Sequence, residues 1–362
     1  MPPLRVLELE GDHYRMGALH GQAHREAIRE YTESRIALAM GGSWTGHPLS
    51  REEVMALAEA CIPPHRAYAP ELVEELQGLA DATGLTLAEL LVTNGFTDFV
   101  DLVYAHGRQH RAPTVHTAED CTAFIVPGCR AVDGHGLLGQ TWDMHADSTR
   151  YVILLRCRPT GEPACLVFTV TGCIGMIGMN EAGIAVGINN LPAGDGQVGV
   201  TWPFVVRKAL QQSDIDAALR CVTEAPLAGA HNYLLLDGNG RGYNVEAFPT
   251  YTHVTPLEDD PLVHTNHCLA APTQARSRPR LPQSQASSEA RLARASQLLA
   301  PGGLPVGVDD LMALTRDPVI SVRAQPPLEV ESCGAAIMRP ATRDLWALWG
   351  RPAENEYEHF RL

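Results

Sequence analysis

The pattern of hydrophobic and polar positions divides the chain into two parts of different texture. Up to about residue 106, helix formers follow recognisable start signals: a capping sequence at Ser50-Arg51-Glu52-Glu53, a first-turn proline at Pro70, and Thr86 ahead of an apolar run. A further stretch of helix formers covers residues 11–36. The first part of the chain is therefore predicted to be helical.

After Cys121 the chain changes to short apolar runs separated by turn residues. Strands are predicted at residues 151–155, 164–170, 183–188 and 233–236, and Asp237-Gly238-Asn239-Gly240 predicts a hairpin. Two helices are predicted between the strands, at 203–212 and 213–220, with Ser213 as the cap of the second. Strands, two helices and again strands are typical of two packed sheets covered by helix layers.

Two polar segments lack any periodicity. Residues 107–120 are rich in Arg, His and Gln and are interpreted as a flexible linker. Residues 272–288 are rich in Pro, Gln, Ser and Arg and are expected to be an exposed insertion, followed by a surface helix at 289–299.

Composition narrows the choice of function. Hydrophobic residues make up 45% and charged residues 19% of the 362, as in ordinary globular proteins. The net charge of −14 argues against a nucleic-acid partner. No apolar stretch has membrane-spanning length, and the segment Met1–Arg5 lacks a signal-peptide core, so we expect a cytoplasmic protein without membrane contact.

The nine cysteines are scattered without CxxC pairs, which favours neither a disulfide framework nor a zinc ribbon. Cys157, Cys165 and Cys173 lie in apolar runs and are expected in the core. Cys121 differs because it stands where the polar linker gives way to the apolar run Phe124-Ile125-Val126. A lone cysteine beside a strand is more often a small buried hydrophobe, so position alone leaves both interpretations open.

A cut between Asp120 and Cys121 would turn Cys121 into a nucleophile with its own base. The new α-amine would titrate near ~7.7–8.0 and the thiol near ~8.5, so the amine could accept the thiol's proton. These two groups are the machinery of an N-terminal-nucleophile (Ntn) enzyme.

Further motifs follow Cys121-Thr122-Ala123-Phe124 in a fixed order. They are Gly139-Gln140-Thr141-Trp142-Asp143, the glycine-rich residues 172–180, Gly183-Ile184-Ala185-Val186, His264-Thr265-Asn266-His267-Cys268 and Ser321-Val322-Arg323, with residues 11–21 as an opening motif. In this order they resemble the acyl-coenzyme A:6-aminopenicillanic acid acyltransferase family, self-cleaving cysteine enzymes of the Ntn-hydrolase superfamily. The resemblance covers nearly the whole chain.

The resemblance implies an α+β fold, an αββα four-layer sandwich of two antiparallel sheets with an N-terminal helical segment. Residues 1–120 would form one chain after cleavage and residues 121–362 the Ntn core, and the two would remain associated. The implied catalytic residues are Cys121 as nucleophile, Asn266 as oxyanion donor, and Asp143 with Arg323 as a charged pair that holds the Cys121 amine or the scissile backbone.

Each implied role has a simpler alternative. Asp143 could form a turn, Asn266 could bond neighbouring backbone, and Arg323 could be a surface residue. Two positions depart from the family pattern. Ala123 replaces a hydroxyl residue of the penicillin-forming member, and Asp120 replaces its glycine before the cut.

The preferred hypothesis is a self-cleaving amidohydrolase or acyltransferase acting on an N-acylated small molecule through a thioester, with no cofactor. The alternatives are acyl transfer from an acyl-CoA, a non-catalytic binding protein, and an unprocessed enzyme with His264 or His267 as base. Homo-oligomerisation is left open.

One cluster of His264, His267 and Cys268 supplies too few ligands for zinc. The spacing of Gly172, Gly175 and Gly178 lacks a phosphate loop's Lys-Ser/Thr, and favours close strand packing or a groove for an acyl group beside Cys121.

Overall fold

The computed structural model describes residues 3–42, 47–107, 121–300, 302–325 and 329–362. Its core consists of two sheets packed face to face, each covered by helices on its outer side. This is the four-layer αββα sandwich of the α+β class, with the N-terminal helices added to one side, as the sequence predicts.

The larger sheet has eight strands, in the order β1-β4-β5-β6-β7-β8-β9-β10. All neighbours are antiparallel except β1, which lies parallel to β4 at one edge. The strands are β1 (Val6–Gly11), β4 (Val152–Pro159), β5 (Cys165–Val170), β6 (Ile177–Asn180), β7 (Ile184–Leu191), β8 (Ala230–Asp237), β9 (Gly242–Phe248) and β10 (Tyr251–Pro256). The predicted strands and the 237–240 hairpin are confirmed, whereas β1, which precedes the helices, is not predicted by the sequence pattern.

The smaller sheet has six antiparallel strands, in the order β11-β2-β3-β12-β13-β14. They are β2 (Thr122–Val126), β3 (Leu137–His145), β11 (Leu262–His264), β12 (Val330–Arg339), β13 (Asp344–Trp349) and β14 (Glu358–Arg361). Side chains of β2 alternate between its two faces. Ala123 and Ile125 pack in the core between the sheets, while Phe124 and Val126 pack against the outer helices.

The helices form the two outer layers. On the larger sheet lie α1 (His13–Met40), α2 (Arg51–Tyr68), α3 (Pro70–Thr83), α4 (Leu87–Thr93), α5 (Phe96–Gly107), α6 (Trp202–Leu210) and α7 (Ile215–Thr223). The short α8 (Ala271–Gln274) lies near β9 and β10, and α9 (Pro282–Leu298) and α10 (Val308–Arg316) cover the smaller sheet. Capping boxes begin α2 at Ser50 and α4 at Thr86, as predicted.

The α1 and α3 helices approach each other closely at two glycines. A Cβ on Gly17 would lie 1.8 Å from the Glu75 carbonyl oxygen, and one on Gly78 would lie 2.0 Å from the Tyr14 carbonyl oxygen. Only hydrogen atoms fit at this crossing.

The glycine sequence at 172–178 also serves close packing. A Cβ on Gly175 would lie 2.4 Å from the Pro203 carbonyl oxygen, which favours the close-packing interpretation of this sequence over a groove for an acyl group.

The structure differs from the sequence expectation at the cap of α7 and adds detail at residues 272–288. The cap of α7 is Asp214, whose carboxylate accepts from the Ala217 amide at 2.8 Å, and Ser213 lies outside the helix. Residues 272–288 are mostly exposed or half-buried, but Arg278 and Ser288 are buried and the second half of the segment forms the start of α9. The buried polar side chains of this segment bond other buried polar groups, and composition alone does not reveal such pairs.

Cys157, Cys165 and Cys173 are buried in the core, as predicted. In the described part of the chain, no helix combines the length and the apolarity that a membrane crossing requires.

Candidate active site

Cys121 lies at the first described position after the linker, one residue before β2, and its side chain is fully buried. It belongs to the hydrophobic cluster between the two sheets. The backbone amide of Thr122 donates to Thr141 Oγ1 at 3.2 Å, and Thr122 pairs with Thr141 in the antiparallel register of β2 and β3. Residues 108–120, which include Asp120 and nearly all of the predicted linker, lie outside the described residues.

The carbonyl oxygen of Cys121 accepts two hydrogen bonds from side chains that belong to different layers. Asn189 Nδ2, on β7 of the larger sheet, donates at 3.2 Å, and Arg291 Nη1, on α9, donates at 2.8 Å. Both side chains are buried. The two bonds come from opposite sides of β2, so the backbone of Cys121 is held on both sides.

Asn266 is fully buried in the loop that follows β11. Its Oδ1 accepts from Arg291 Nη2 at 3.1 Å, and its Nδ2 donates to the Asn190 carbonyl at 3.2 Å. Its backbone amide donates to Ser288 Oγ at 2.9 Å. Arg291 thus links the residue predicted to be the nucleophile to the residue predicted to be the oxyanion donor.

Glu246, on β9, anchors the loop that carries Asn266. Its carboxylate accepts from His264 Nε2 at 2.9 Å, from the Leu269 amide at 2.5 Å, and from Thr273 Oγ1. Burial alone would raise the pKa of Glu246, but the bonds from His264 and Thr273 outweigh it and lower that pKa. The buried carboxylate therefore stays ionised and holds the loop at both ends.

Asp143 lies near the end of β3, one residue past Trp142. Thr141, two residues before Asp143, pairs with Thr122 in the register of β2 and β3, so Asp143 lies near the end of β3 that is closest to Cys121. Asp143 is fully buried, and its Oδ1 accepts from Ser332 Oγ at 2.6 Å. The role of Asp143 at the cleavage site stays a prediction.

Arg323 lies farther from this cluster. Its side chain is 66% exposed, and its guanidinium pairs with Glu354 at 2.8 Å. The two segments nevertheless approach each other, because the Val322 amide donates to the same Ser332 hydroxyl that bonds Asp143. The structure therefore brings Cys121, Asn266 and Asp143 to one end of the sandwich and leaves the Arg323 side chain at the surface.

The two histidines near Asn266 are both engaged. His264 bonds the Thr265 carbonyl through Nδ1 at 2.8 Å and Glu246 through Nε2. His267 Nδ1 contacts Ser288 Oγ at 2.8 Å, and burial lowers the pKa of His267 to about 4. Such an imidazole is a weak base at neutral pH. Within the described ranges, no three His, Cys, Asp or Glu side chains are grouped to hold a metal.

A cavity of about 610 Å³ lies beside the Asn266 loop. The guanidinium of Arg280, in its wall, donates to the Asn266 carbonyl oxygen. The wall combines thiol, amide, imidazole and charged groups from Cys268, Gln274, His267, Gln285, Arg280 and Glu289. This cavity is large enough for a small-molecule acyl compound.

Four residues that contact the predicted site residues are not predicted by the sequence: Asn189, Ser288, Arg291 and Ser332. One signal was present: Asn189 and Asn190 are adjacent amides inside an otherwise apolar strand, where polar side chains need buried partners. No comparable signal marks Arg291, which stands in a polar helix.

Residues 129–354 match the family model described as acyl-coenzyme A:6-aminopenicillanic acid acyl-transferase. The chain therefore belongs to this family, as its motif order predicts. The matched range begins after Cys121, so the match does not itself cover the predicted nucleophile.

Two curated proteins illustrate the relationship. The 40 kDa form of acyl-coenzyme A:6-aminopenicillanic-acid-acyltransferase from Emericella nidulans is 27% identical over 202 residues, which cover 55% of this chain and 52% of that protein. An uncharacterised protein of Archaeoglobus fulgidus is 24% identical over 254 residues, covering 65% and 42% respectively. The chain thus spans about half the length of the curated relatives it matches.

Solved structures with a similar fold include two enzymes. A variant of conjugated bile acid hydrolase from Clostridium perfringens aligns with a TM-score of 0.46 at 11% identity, covering 67% of this chain and 97% of that one. Penicillin V acylase from Agrobacterium tumefaciens aligns with a TM-score of 0.34 at 13% identity, covering 66% and 78%.

Proposed function

We propose that the chain is a self-cleaving Ntn enzyme whose nucleophile is Cys121 and whose substrate is the amide of an N-acylated small molecule. The observation that carries the proposal is the connection of Cys121 to Asn266 through Arg291, at the start of a strand that directly follows the linker. Membership of an acyltransferase family supports the same chemistry.

Self-cleavage needs no group from outside the chain except water. The Cys121 thiol attacks the carbonyl carbon of Asp120, the C–N bond breaks, and the departing amine takes up the thiol's proton. Water then hydrolyses the resulting thioester, which leaves a carboxylate on Asp120 and a free thiol and amine on Cys121. Asp143, two residues past Thr141, the partner of Thr122 in the register, would orient the scissile peptide.

Substrate turnover repeats these steps on another carbonyl. The α-amine of Cys121 accepts the thiol proton, the thiolate attacks the substrate amide, and the proton passes to the departing amine. Asn266 would donate a side-chain N–H to the negative charge on the carbonyl oxygen, a contribution typically worth ~10²–10³ in rate. Water releases the acyl group, or an acceptor amine does so if the enzyme transfers it from an acyl-CoA.

The first experiment measures the intact mass of freshly purified protein. We expect two chains, residues 1–120 and 121–362, that remain together on gel filtration. Cys121→Ala should stay whole, and Cys268→Ala should be cleaved normally because burial raises the pKa of that thiol to about 12. A wild-type protein that stays intact on prolonged incubation contradicts the Ntn mechanism, and leaves a binding protein or a histidine-assisted enzyme.

The second experiment offers the cleaved protein N-acyl amino acids, amino-acid amides and acyl-CoA thioesters, with and without added amine. Amide hydrolysis without amine supports the proposal, whereas products that require both thioester and amine support acyl transfer. Asn266→Asp keeps an acceptor for Arg291 and removes both side-chain N–H donors, so kcat should fall ~10²–10³-fold with KM nearly unchanged. An unchanged kcat would make Asn266 a loop-holding residue.

A further inference from the structure

Arg291 is a buried cation in the middle of a polar helix, on the side of α9 that faces the smaller sheet. Its side chain is among the largest that are fully buried in the described chain. Outside its own helix, the guanidinium donates to oxygens of two separate segments, among them the Cys121 carbonyl at 2.8 Å, Thr122 Oγ1 at 3.0 Å, and Asn266 Oδ1 at 3.1 Å. A planar guanidinium holds such acceptors at fixed relative positions.

The bond to Asn266 also decides which way its amide points. Arginine can only donate, so the oxygen of the amide must face Arg291 and the nitrogen must face away. The nitrogen is observed on the other side, donating to the Asn190 carbonyl at 3.2 Å. A turned amide would present N–H groups to a cation, so Arg291 selects the orientation in which the donors are directed away from α9.

The same helix face is fixed to the Asn266 loop one turn earlier. Ser288 Oγ accepts from the Asn266 amide at 2.9 Å and contacts His267 Nδ1 at 2.8 Å. Ser288 and Arg291 are three residues apart, so both side chains project from one side of α9. The helix therefore reaches both the loop and the first residue of β2 as one rigid element.

We propose that Arg291 is a positioning residue, which holds the Cys121 backbone and the Asn266 amide in one fixed geometry. This inference rests on the proposed function, because it assigns Arg291 a role only through those two residues. Asn189 also holds the Cys121 carbonyl, at 3.2 Å, so loss of Arg291 misplaces the nucleophile without releasing it.

Self-cleavage of the full chain tests the proposal without a known substrate. Arg291→Gln and Arg291→Lys are compared with Arg294→Gln, a matched control on the same helix whose arginine pairs with Asp317 at 2.8 Å. We expect Arg291→Gln to slow the conversion of full-length chain about 100-fold, the typical effect of misplacing reacting groups by about 1 Å. Arg291→Lys should be intermediate, and Arg294→Gln should cleave at the wild-type rate.

Two further measurements separate positioning from a folding role. The melting temperature of each variant is recorded, and methylguanidine is added to Arg291→Ala below unfolding concentrations. Faster cleavage at an unchanged melting temperature supports positioning, and a rate that only follows the melting temperature overturns it. If Arg291 acts through Asn266, Arg291→Lys should add little to the loss in an Asn266→Ala background.

The outcomes distinguish this inference from the proposed function. A wild-type chain that never cleaves refutes the proposed function, and the inference with it. A wild-type chain that cleaves, together with Arg291→Gln at the wild-type rate, refutes the inference alone. Independent, multiplying losses from Arg291 and Asn266 also contradict it, because they would show that the two residues do not act as a unit.

Discussion

Asp101 and Arg278 form a buried pair that joins the N-terminal helices to the loop after Cys268. Both side chains are 1% exposed, and Arg278 Nη2 donates to Asp101 Oδ1 at 3.1 Å. The Ala230 amide donates to the other carboxylate oxygen at 3.2 Å. Burial raises the pKa of Asp101 to about 6, although Arg278 opposes the shift. Replacing Arg278 by Met should therefore destabilise the protein in a way that depends on pH.

The magnitude follows from the proton that Asp101 must keep. In the unfolded chain the pKa of the Asp101 carboxyl is ~3.9. Because this pKa is higher in the folded protein, the free energy of unfolding falls as pH rises from the unfolded pKa to the folded pKa. In wild type this fall ends near pH 6. Without Arg278 the folded carboxyl stays protonated to higher pH, so the loss relative to wild type grows by about 1.4 kcal/mol per pH unit above pH 6.

The assay is urea unfolding of the uncleaved Cys121→Ala chain at pH 6.0 and 7.5, followed by circular dichroism. Arg278→Met should lose roughly 2 kcal/mol more at the higher pH, and adding Asp101→Asn should abolish this difference. Arg241→Met, which breaks the exposed pair with Asp216, should leave the unfolding free energy close to wild type at both pH values. An Arg278→Met loss of equal size at both pH values would refute the reasoning.

Two further predictions concern the fold. Gly78→Ala should lower the melting temperature strongly, because its Cβ would lie 2.0 Å from the Tyr14 carbonyl oxygen. Gly41→Ala should not, because the nearest atom to its Cβ is 3.4 Å away. Equal melting temperatures would show that the α1–α3 crossing can relax. Asp214→Ala should cost ~1 kcal/mol of unfolding free energy through loss of the α7 cap, and Ser213→Ala should cost little. If chemical denaturation shows the larger loss for Ser213→Ala, Ser213 is the cap.

Local signals were enough to predict most of the fold. Helix starts at Ser50 and Thr86 and the hairpin at 237–240 depend on residues within a few positions of each other, and all three are present in the structure. The strand β1 is short and stands alone before the helices, and its place in the sheet is fixed by β4, which lies far along the chain. Pairing between distant segments is what a pattern within one short window cannot contain.

The candidate site divides along the same line. Cys121 is a candidate because a polar linker and an apolar strand meet there in the sequence, and Asn266 and Asp143 are candidates through the order of motifs; their roles stay predictions. Arg291 could not be predicted, since its partner Cys121 lies 170 positions earlier and its own neighbours are serines, alanines and charged residues typical of an exposed helix. Its burial follows only once α9 packs on β2.

The arginines of this chain show why residue type alone does not locate a site. Arg323 lies in a motif expected to hold the nucleophile, yet its guanidinium is at the surface with Glu354. Arg291 lies in no motif, yet it contacts the Cys121 carbonyl and the Asn266 amide. A buried guanidinium is costly to desolvate unless strong acceptors surround it, and carbonyl and amide oxygens held by other bonds are such acceptors. Its burial therefore requires that the backbone of Cys121 and the amide of Asn266 are already in place, which ties the stability of this end of the sandwich to the geometry that the proposed chemistry needs.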